Sequence, residues 1–121
     1  MEELQIEKEL RTEWKFSPIK NHPEYIICDD GTAYSTKRGG KVLCLKPSKK
    51  KKYLRIRVRV NKEEKYLWAH RVVAAHFIGD IHGMEVEHND RNTRNNDKTN
   101  LRIVTKRENL DIRNRKNGWN I

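Results

Sequence analysis

The chain has 121 residues, 35% hydrophobic and 36% charged, with a net charge of +10. That length suits one compact domain or two very small modules, and the composition allows a small core without reading as disordered. It excludes a helical membrane protein, because apolar stretches such as Val72–Ala75 are far too short to span a bilayer. Met1-Glu2-Glu3 also lacks the basic and apolar regions of a signal peptide. The charge is unevenly spread. Residues 1–13 hold Glu2, Glu3, Glu7, Glu9 and Glu13 against Lys8 and Arg11, so the remainder carries +13. A basic body of this kind favours a polyanion, since each phosphate neutralised by Lys or Arg releases a condensed counterion. Charge by itself does not separate DNA from RNA or from an anionic membrane. Cys28 and Cys44, 16 positions apart with no CxxC spacing, do not make a zinc site and are expected to be buried, reduced thiols.

In chain order, residues 1–12 read as a polar leader, and the segment from Trp14 to Trp68 reads as β-structure. Tyr25–Cys28 is a short apolar run followed by the turn signal Asp29-Asp30-Gly31, with Thr32–Ser35 returning antiparallel. Arg38-Gly39-Gly40 predicts another turn and Lys41–Leu45 another short strand. The clearest strand is Tyr53–Val60, where Leu54, Ile56, Val58 and Val60 alternate with Arg55, Arg57 and Arg59. A period of two puts the aliphatics on one face and the arginines on the other. Asn61–Glu64 is a polar turn, and Lys65–Trp68 completes a hairpin in which Trp68 is expected in the core. The pattern then becomes helical over Ala69–Phe77, with Gly79 beyond the stop. Met84–Val86 predicts a strand, Asn89–Asn100 a loop without an apolar residue, and Leu101–Val104 a second strand. Thr105 and Glu108 have the spacing of a capping box, so a helix is expected from Lys106 to about Arg113.

An antiparallel return of the second strand brings Asn109, in the first turns of that helix, near Glu87 at the end of the first strand, 22 positions away in sequence. Phosphodiester hydrolysis needs a base to activate water, a cation to stabilise charge on the phosphate and leaving oxygen, and a firmly held scissile bond. His88 supplies a base available near neutral pH. Glu87 and Asn109 offer oxygen ligands to one hard cation, which suits Mg²⁺ or Mn²⁺ better than Zn²⁺. The other histidines carry blander expectations: His70 packs at the helix start or contacts a phosphate, and His76 is a satisfied core residue.

Glu87-His88, Asn100-Leu101 and Glu108-Asn109, with His70-Arg71-Val72-Val73-Ala74 upstream and Asn95-Asn96 between, resemble the HNH endonucleases of phages and group I introns. Glu13-Trp14-Lys15, Tyr25 and Asp30–Ser35 resemble the small module that often precedes this core in intron-associated homing enzymes. The resemblance implies an α+β architecture: a small N-terminal antiparallel β-sheet module over 13–68, a ββα-metal core over 69–113, and a tail over 114–121. It implies His88 as general base, Glu87 and Asn109 as ligands of one Mg²⁺ or Mn²⁺, Asn100 as a brace for the His88 loop, and Asn96 as a stiffener of that loop. It also implies hydrolysis of double-stranded DNA to 5′-phosphate and 3′-hydroxyl ends by a cytoplasmic protein, monomeric or homodimeric. Two departures stand out. Members of the family it resembles usually carry Asp, Asn or His at the position of Glu87, and usually glycine at the position of Arg91, whose backbone must then accept the turn geometry.

The run from Lys46 to Val60 holds eight basic residues and no acid. Lys49, Lys50, Lys51, Lys52, Arg55, Arg57 and Arg59 are therefore expected at nucleic acid, as a β-ribbon laid along a groove or backbone. Arg102, Lys106, Arg107 and Arg113 flank the proposed centre as phosphate contacts. The competing reading is a non-catalytic, degenerate HNH-like nucleic-acid-binding module. A basic RNA-binding protein is a more remote third reading, although no RNA-binding motif is recognisable.

Overall fold

A computed structural model describes residues 15–37, 45–47 and 53–109. The expectations for the leader, the turn at Arg38–Gly40, Lys49–Lys52, Cys44, Arg113 and the tail lie outside the described residues. The described elements are strands β1 (Phe16–Ile19), β2 (His22–Cys28), β3 (Ala33–Ser35), β4 (Leu45–Pro47), β5 (Leu54–Val60) and β6 (Glu63–Trp68), helix α1 (Ala69–Phe77), strand β7 (Glu85–His88), a 3₁₀ turn (Lys98–Asn100) and strand β8 (Leu101–Val104). Residues 106–109 are helical. The strands form three antiparallel sheets, ordered β1-β2-β3, β4-β5-β6 and β7-β8.

The alternation in β5 folds as its period dictates. Ile56 and Val58 are buried, while Arg57 and Arg59 are exposed. Asn61 (φ +51°) and Lys62 (φ +68°) form the two-residue turn into β6, and two successive positive φ values match the right-handed twist of the strands it joins. Pairing of Arg55 with Trp68, Arg57 with Tyr66 and Arg59 with Glu64 gives this hairpin a polar-aromatic outer face.

Helix α1 follows β6 directly, with Trp68 as an N-cap residue that makes no side-chain capping bond. Tertiary packing holds it instead. Ala69, Val73 and Ala74 are fully buried in one cluster with Ile19, Tyr25, Ile27, Ala33, Ile56, Val58, Val86 and Leu101. That cluster draws on all three sheets. The helix is also tied to the first sheet by His76, whose Nδ1–H donates to Val72 O at 2.9 Å while Nε2 accepts the Lys20 N–H at 2.9 Å. Arg71 reaches the other way and donates to Met84 O at 3.0 Å, fixing the loop that feeds β7. Cys28 is fully buried and its thiol is pushed up to about 12, chiefly by that burial, so it stays protonated and inert.

Two adjacent positions in β5 test this arrangement. Ile56→Ala is expected to cost about 2–5 kcal/mol through lost burial and a residual cavity, and Arg57→Ala less than about 0.5 kcal/mol. Urea denaturation of both variants reads the difference, and equal losses would contradict the assigned faces.

Candidate active site

The β7–β8 ribbon pairs Glu85 with Val104, Val86 with Ile103, Glu87 with Arg102 and His88 with Leu101. Alternation along β7 buries Val86 and His88 and leaves Glu85 and Glu87 half-buried on the opposite face. His88, only 3% exposed, is stacked near-parallel on Tyr53 (ring centroids 5.9 Å apart) and lies 5.3 Å from the ring of His70. Its Nε2 is 2.7 Å from Asn96 Oδ1. With an amide oxygen as acceptor, Nε2–H donates, so the lone pair of the neutral ring lies on Nδ1.

The loop between the strands holds itself without apolar side chains. Asp90 Oδ1 accepts from the Asn92 N–H (2.8 Å) and Asn100 Nδ2 (2.9 Å), and Asp90 Oδ2 accepts from Asn95 Nδ2 (3.0 Å). The Asn95 amide first, then the Asn92 N–H and the Asn100 amide, hold the Asp90 carboxyl below the usual carboxylate range. Asn100 Nδ2 also donates to Asn95 O at 2.8 Å, and Asn100 Oδ1 accepts from the Asp90 N–H at 3.0 Å. Asn100 thus spans the loop from both ends, while Asn96 is the residue that touches His88. Arg91 adopts φ +65° in this turn, a left-handed conformation that glycine takes at lower cost.

Thr105 and Glu108 form a reciprocal capping box: Glu108 N–H donates to Thr105 Oγ1 at 3.0 Å, and Thr105 N–H donates to Glu108 Oε1 at 3.2 Å. The cap starts the helical turn that carries Asn109 over the ribbon. There Asn109 Nδ2 donates to the Glu85 carboxylate, whereas the sequence expectation paired Asn109 with Glu87. Asn109 Oδ1 is buried with no hydrogen-bond partner among the described residues. Glu85 and Asn109 line a cleft of about 410 Å³ with Tyr53, Trp68, His70, Arg71 and Val86. Glu85 escapes sequence reasoning because its pairing is a tertiary contact across 24 positions; the one available signal is that it shares a strand face with Glu87. Trp68, expected in the core, is instead 37% exposed on the cleft wall, because Arg55, its cross-strand partner, shares the outer face of the hairpin.

Of the basic residues assigned to nucleic acid, Arg57, Arg59, Arg102, Lys106 and Arg107 are exposed. Arg55 is half-buried, with its guanidinium 3.9 Å from the centre of the Tyr66 ring, and Arg57 lies 3.8 Å from Glu64.

His70 is 8% exposed, stacked on Tyr53 at 4.8 Å, and its Nδ1 is buried without a partner among the described residues. Burial first, then the nearby His88 and Arg71, push it from its ordinary 6.5 down to about 4. The unfolded chain therefore binds a proton that the folded chain refuses, and stability falls as pH drops from 6.5 towards 4. At most about 3.5 kcal/mol is lost, at roughly 1.4 kcal/mol per pH unit. Urea denaturation across that window should show the loss in wild type and its absence in His70→Phe, measured as the difference between the two; a constant difference would contradict the assignment.

Residues 67–110 match the family model described as HNH endonuclease. The chain is 31% identical over 115 residues to the H-N-H endonuclease F-TflI of Escherichia phage T5, covering 87% of this chain and 55% of that protein. It is 38% identical over 101 residues to the DNA endonuclease I-HmuI of Bacillus phage SP01, covering 82% of this chain and 56% of that protein. A solved structure of the HNH homing endonuclease I-HmuI, concerning its DNA binding and cleavage, superposes with a TM-score of 0.73 at 34% identity, over 88% of this chain and 60% of that one. The chain thus spans about half the length of these two curated relatives. Its α+β architecture is that of the I-HmuI fold. With a histidine-bearing ribbon, an asparagine-rich loop and a capped helix inside it, the stretch 67–110 is similar to the HNH endonuclease family.

Proposed function

We propose that this chain is a metal-dependent endonuclease that hydrolyses phosphodiester bonds of double-stranded DNA, with His88 as its general base. The observation that carries the reading is the 2.7 Å contact between His88 Nε2 and Asn96 Oδ1, which leaves Nδ1 as the proton acceptor. The names of F-TflI and I-HmuI support the substrate class, since both are endonucleases and the second is a DNA endonuclease.

HNH endonucleases are generally metal-dependent, and the donor set here suits a hard cation. Among the described residues, no cluster of three or more His, Cys, Asp or Glu side chains forms. What the ribbon and helix do provide is oxygen: the orphaned Oδ1 of Asn109, the Glu85 carboxylate bonded to the same amide, and Glu87 on the same strand face. One Mg²⁺ or Mn²⁺ fits such a sparse set, because Mg²⁺ takes one or two protein oxygens and completes its shell with water and substrate phosphate. When bound, the cation supplies Lewis-acid stabilisation of charge on the phosphate and the leaving 3′ oxygen.

The chain's own residues do the rest. His88 Nδ1 removes a proton from a water as its oxygen attacks phosphorus. The bond from phosphorus to the 3′ oxygen breaks, and that oxygen leaves with a proton from solvent, giving 5′-phosphate and 3′-hydroxyl ends. Asn96 holds the ring in the tautomer this requires, and Asn100 holds the loop. The exposed Arg57, Arg59, Arg102, Lys106 and Arg107 are suited to phosphates, so binding weakens steeply with salt. Arg91 itself adopts the left-handed turn, so the missing glycine does not favour the non-catalytic reading.

His88→Ala should lower relaxation of supercoiled plasmid by about 10²–10⁴-fold, while a gel-shift titration finds DNA affinity nearly unchanged. Wild-type nicking by that variant would remove the assignment. For the cation, calorimetric titration of Mn²⁺ in the absence of DNA should show Glu85→Ala binding at least about 10-fold more weakly than wild type. An unchanged affinity in Glu85→Ala beside a lost one in Glu87→Ala would place the ion at Glu87 alone.

A further inference from the structure

The turn between β2 and β3 belongs to the N-terminal sheet, yet it is packed against the loop that holds His88. Gly31 sits there at φ +94°, and a Cβ on it would lie 2.8 Å from Asn96 Cβ and 3.2 Å from Asn96 O. The preceding residues tighten the same contact. Asp29 is 7% exposed; its carbonyl oxygen accepts the Lys98 N–H at 2.8 Å, and its carboxylate lies 3.3 Å from Lys98 Nζ. The turn's own shape is fixed by the Gly31 N–H on Cys28 O (2.9 Å), the Cys28 N–H on Thr32 O (2.8 Å) and the Thr32 N–H on Asp30 Oδ1 (2.9 Å).

Asn96 is therefore held from one side by the bare backbone of Gly31, and its chain is held two residues on by Asp29. Its other side is the Oδ1 contact to His88 Nε2, with both residues almost wholly buried. We propose that the Asp29–Gly31 turn is a positioning element for His88, acting through Asn96. This rests on the reading of His88 as general base. Ordinary contact for a Cβ begins at 3.4 Å, so a methyl group at Gly31 requires Asn96 to retreat by about 0.6 Å. Catalytic side chains tolerate displacements of only about 0.5 Å, and a misplacement near 1 Å can cost about 10²-fold in rate. The N-terminal sheet is on this account part of the catalytic apparatus, separately from any contact it makes with nucleic acid.

The test uses the full chain, free of metal and DNA for spectroscopy, and active for kinetics. Long-range proton–nitrogen correlation spectra of the histidine rings should show His88 protonated at Nε2 in wild type. Gly31→Ala should move His88 towards a mixture of tautomers while leaving the His76 signals in place, and should lower kcat about 10-fold with KM for DNA unchanged. A penalty confined to the strained φ at Gly31 would lower the melting temperature and move neither readout. Lys98→Met, which removes the ion pair without altering the turn backbone, should act in the same direction more weakly, and it serves if Gly31→Ala does not fold. Wild-type tautomer and kcat in a folded Gly31→Ala, or in Lys98→Met where Gly31→Ala fails to fold, would overturn the proposal. If Asn96→Ala shifts the tautomer and Gly31→Ala does not, the relay from the turn is wrong and the general-base reading stands. If Gly31→Ala shifts the tautomer but His88→Ala cleaves at the wild-type rate, the relay holds and the general-base reading fails.

Discussion

A single amide oxygen holds the His88 ring in one orientation and, when that ring is neutral, directs its lone pair to Nδ1. Asn96 Oδ1 takes the Nε2 proton side of His88, and the Tyr53 ring stacks on the imidazole face. A buried hydrogen bond of this type contributes about 1 kcal/mol net, but its loss would leave polar groups buried and unpaired at about 1–3 kcal/mol. That asymmetry makes the contact a strong constraint on geometry even though it is a modest contributor to stability. The surrounding loop is built to protect it. With no apolar residue between Asn89 and Asn100 to anchor the loop by burial, its shape comes from the bonds among Asp90, Asn92, Asn95 and Asn100.

The second constraint is the shared core. Helix α1 is uncapped at its N-terminus and short, and so depends on burial for its stability. Its apolar face meets residues from all three sheets. Two polar ties add direction: His76 fixes the helix to the turn after β1, and Arg71 fixes the approach to β7. The ribbon that carries His88 is therefore referenced to the N-terminal sheet through α1 on one side and through the Asp29–Gly31 turn on the other. His70, at the start of α1, is buried with Nδ1 lacking a partner among the described residues, a cost of the kind that folded chains tolerate at functional sites.

Much of this was legible in the sequence where local pattern determines structure. The alternation of Leu54 to Val60 fixed β5 and its faces, the helical spacing after Trp68 fixed α1, and Thr105 with Glu108 fixed the cap of the last helix. Strand β1 was not singled out, because Phe16–Ile19 contains Pro18 and no alternation. The site was legible in its residue types but less so in its pairings. His88, Asn100 and Asn109 stand out through the family resemblance, yet the structure pairs Asn109 with Glu85 and His88 with Asn96. Both pairings depend on how a loop and a helix fold back over a ribbon, which neither periodicity nor propensity encodes. Gly31 is the extreme case. In sequence it is one glycine in a turn, and only its approach to Asn96, 65 positions away, reveals a second reason for having no side chain.

The most direct measurement is chemical rescue. His88→Gly removes the proposed base and leaves a space of imidazole size beside Asn96 and Tyr53. Plasmid cleavage by this variant should be nearly absent in the presence of Mg²⁺ and should return in proportion to added imidazole, with no such response from the wild type. Cleavage by His88→Gly at the wild-type rate without imidazole would contradict the account.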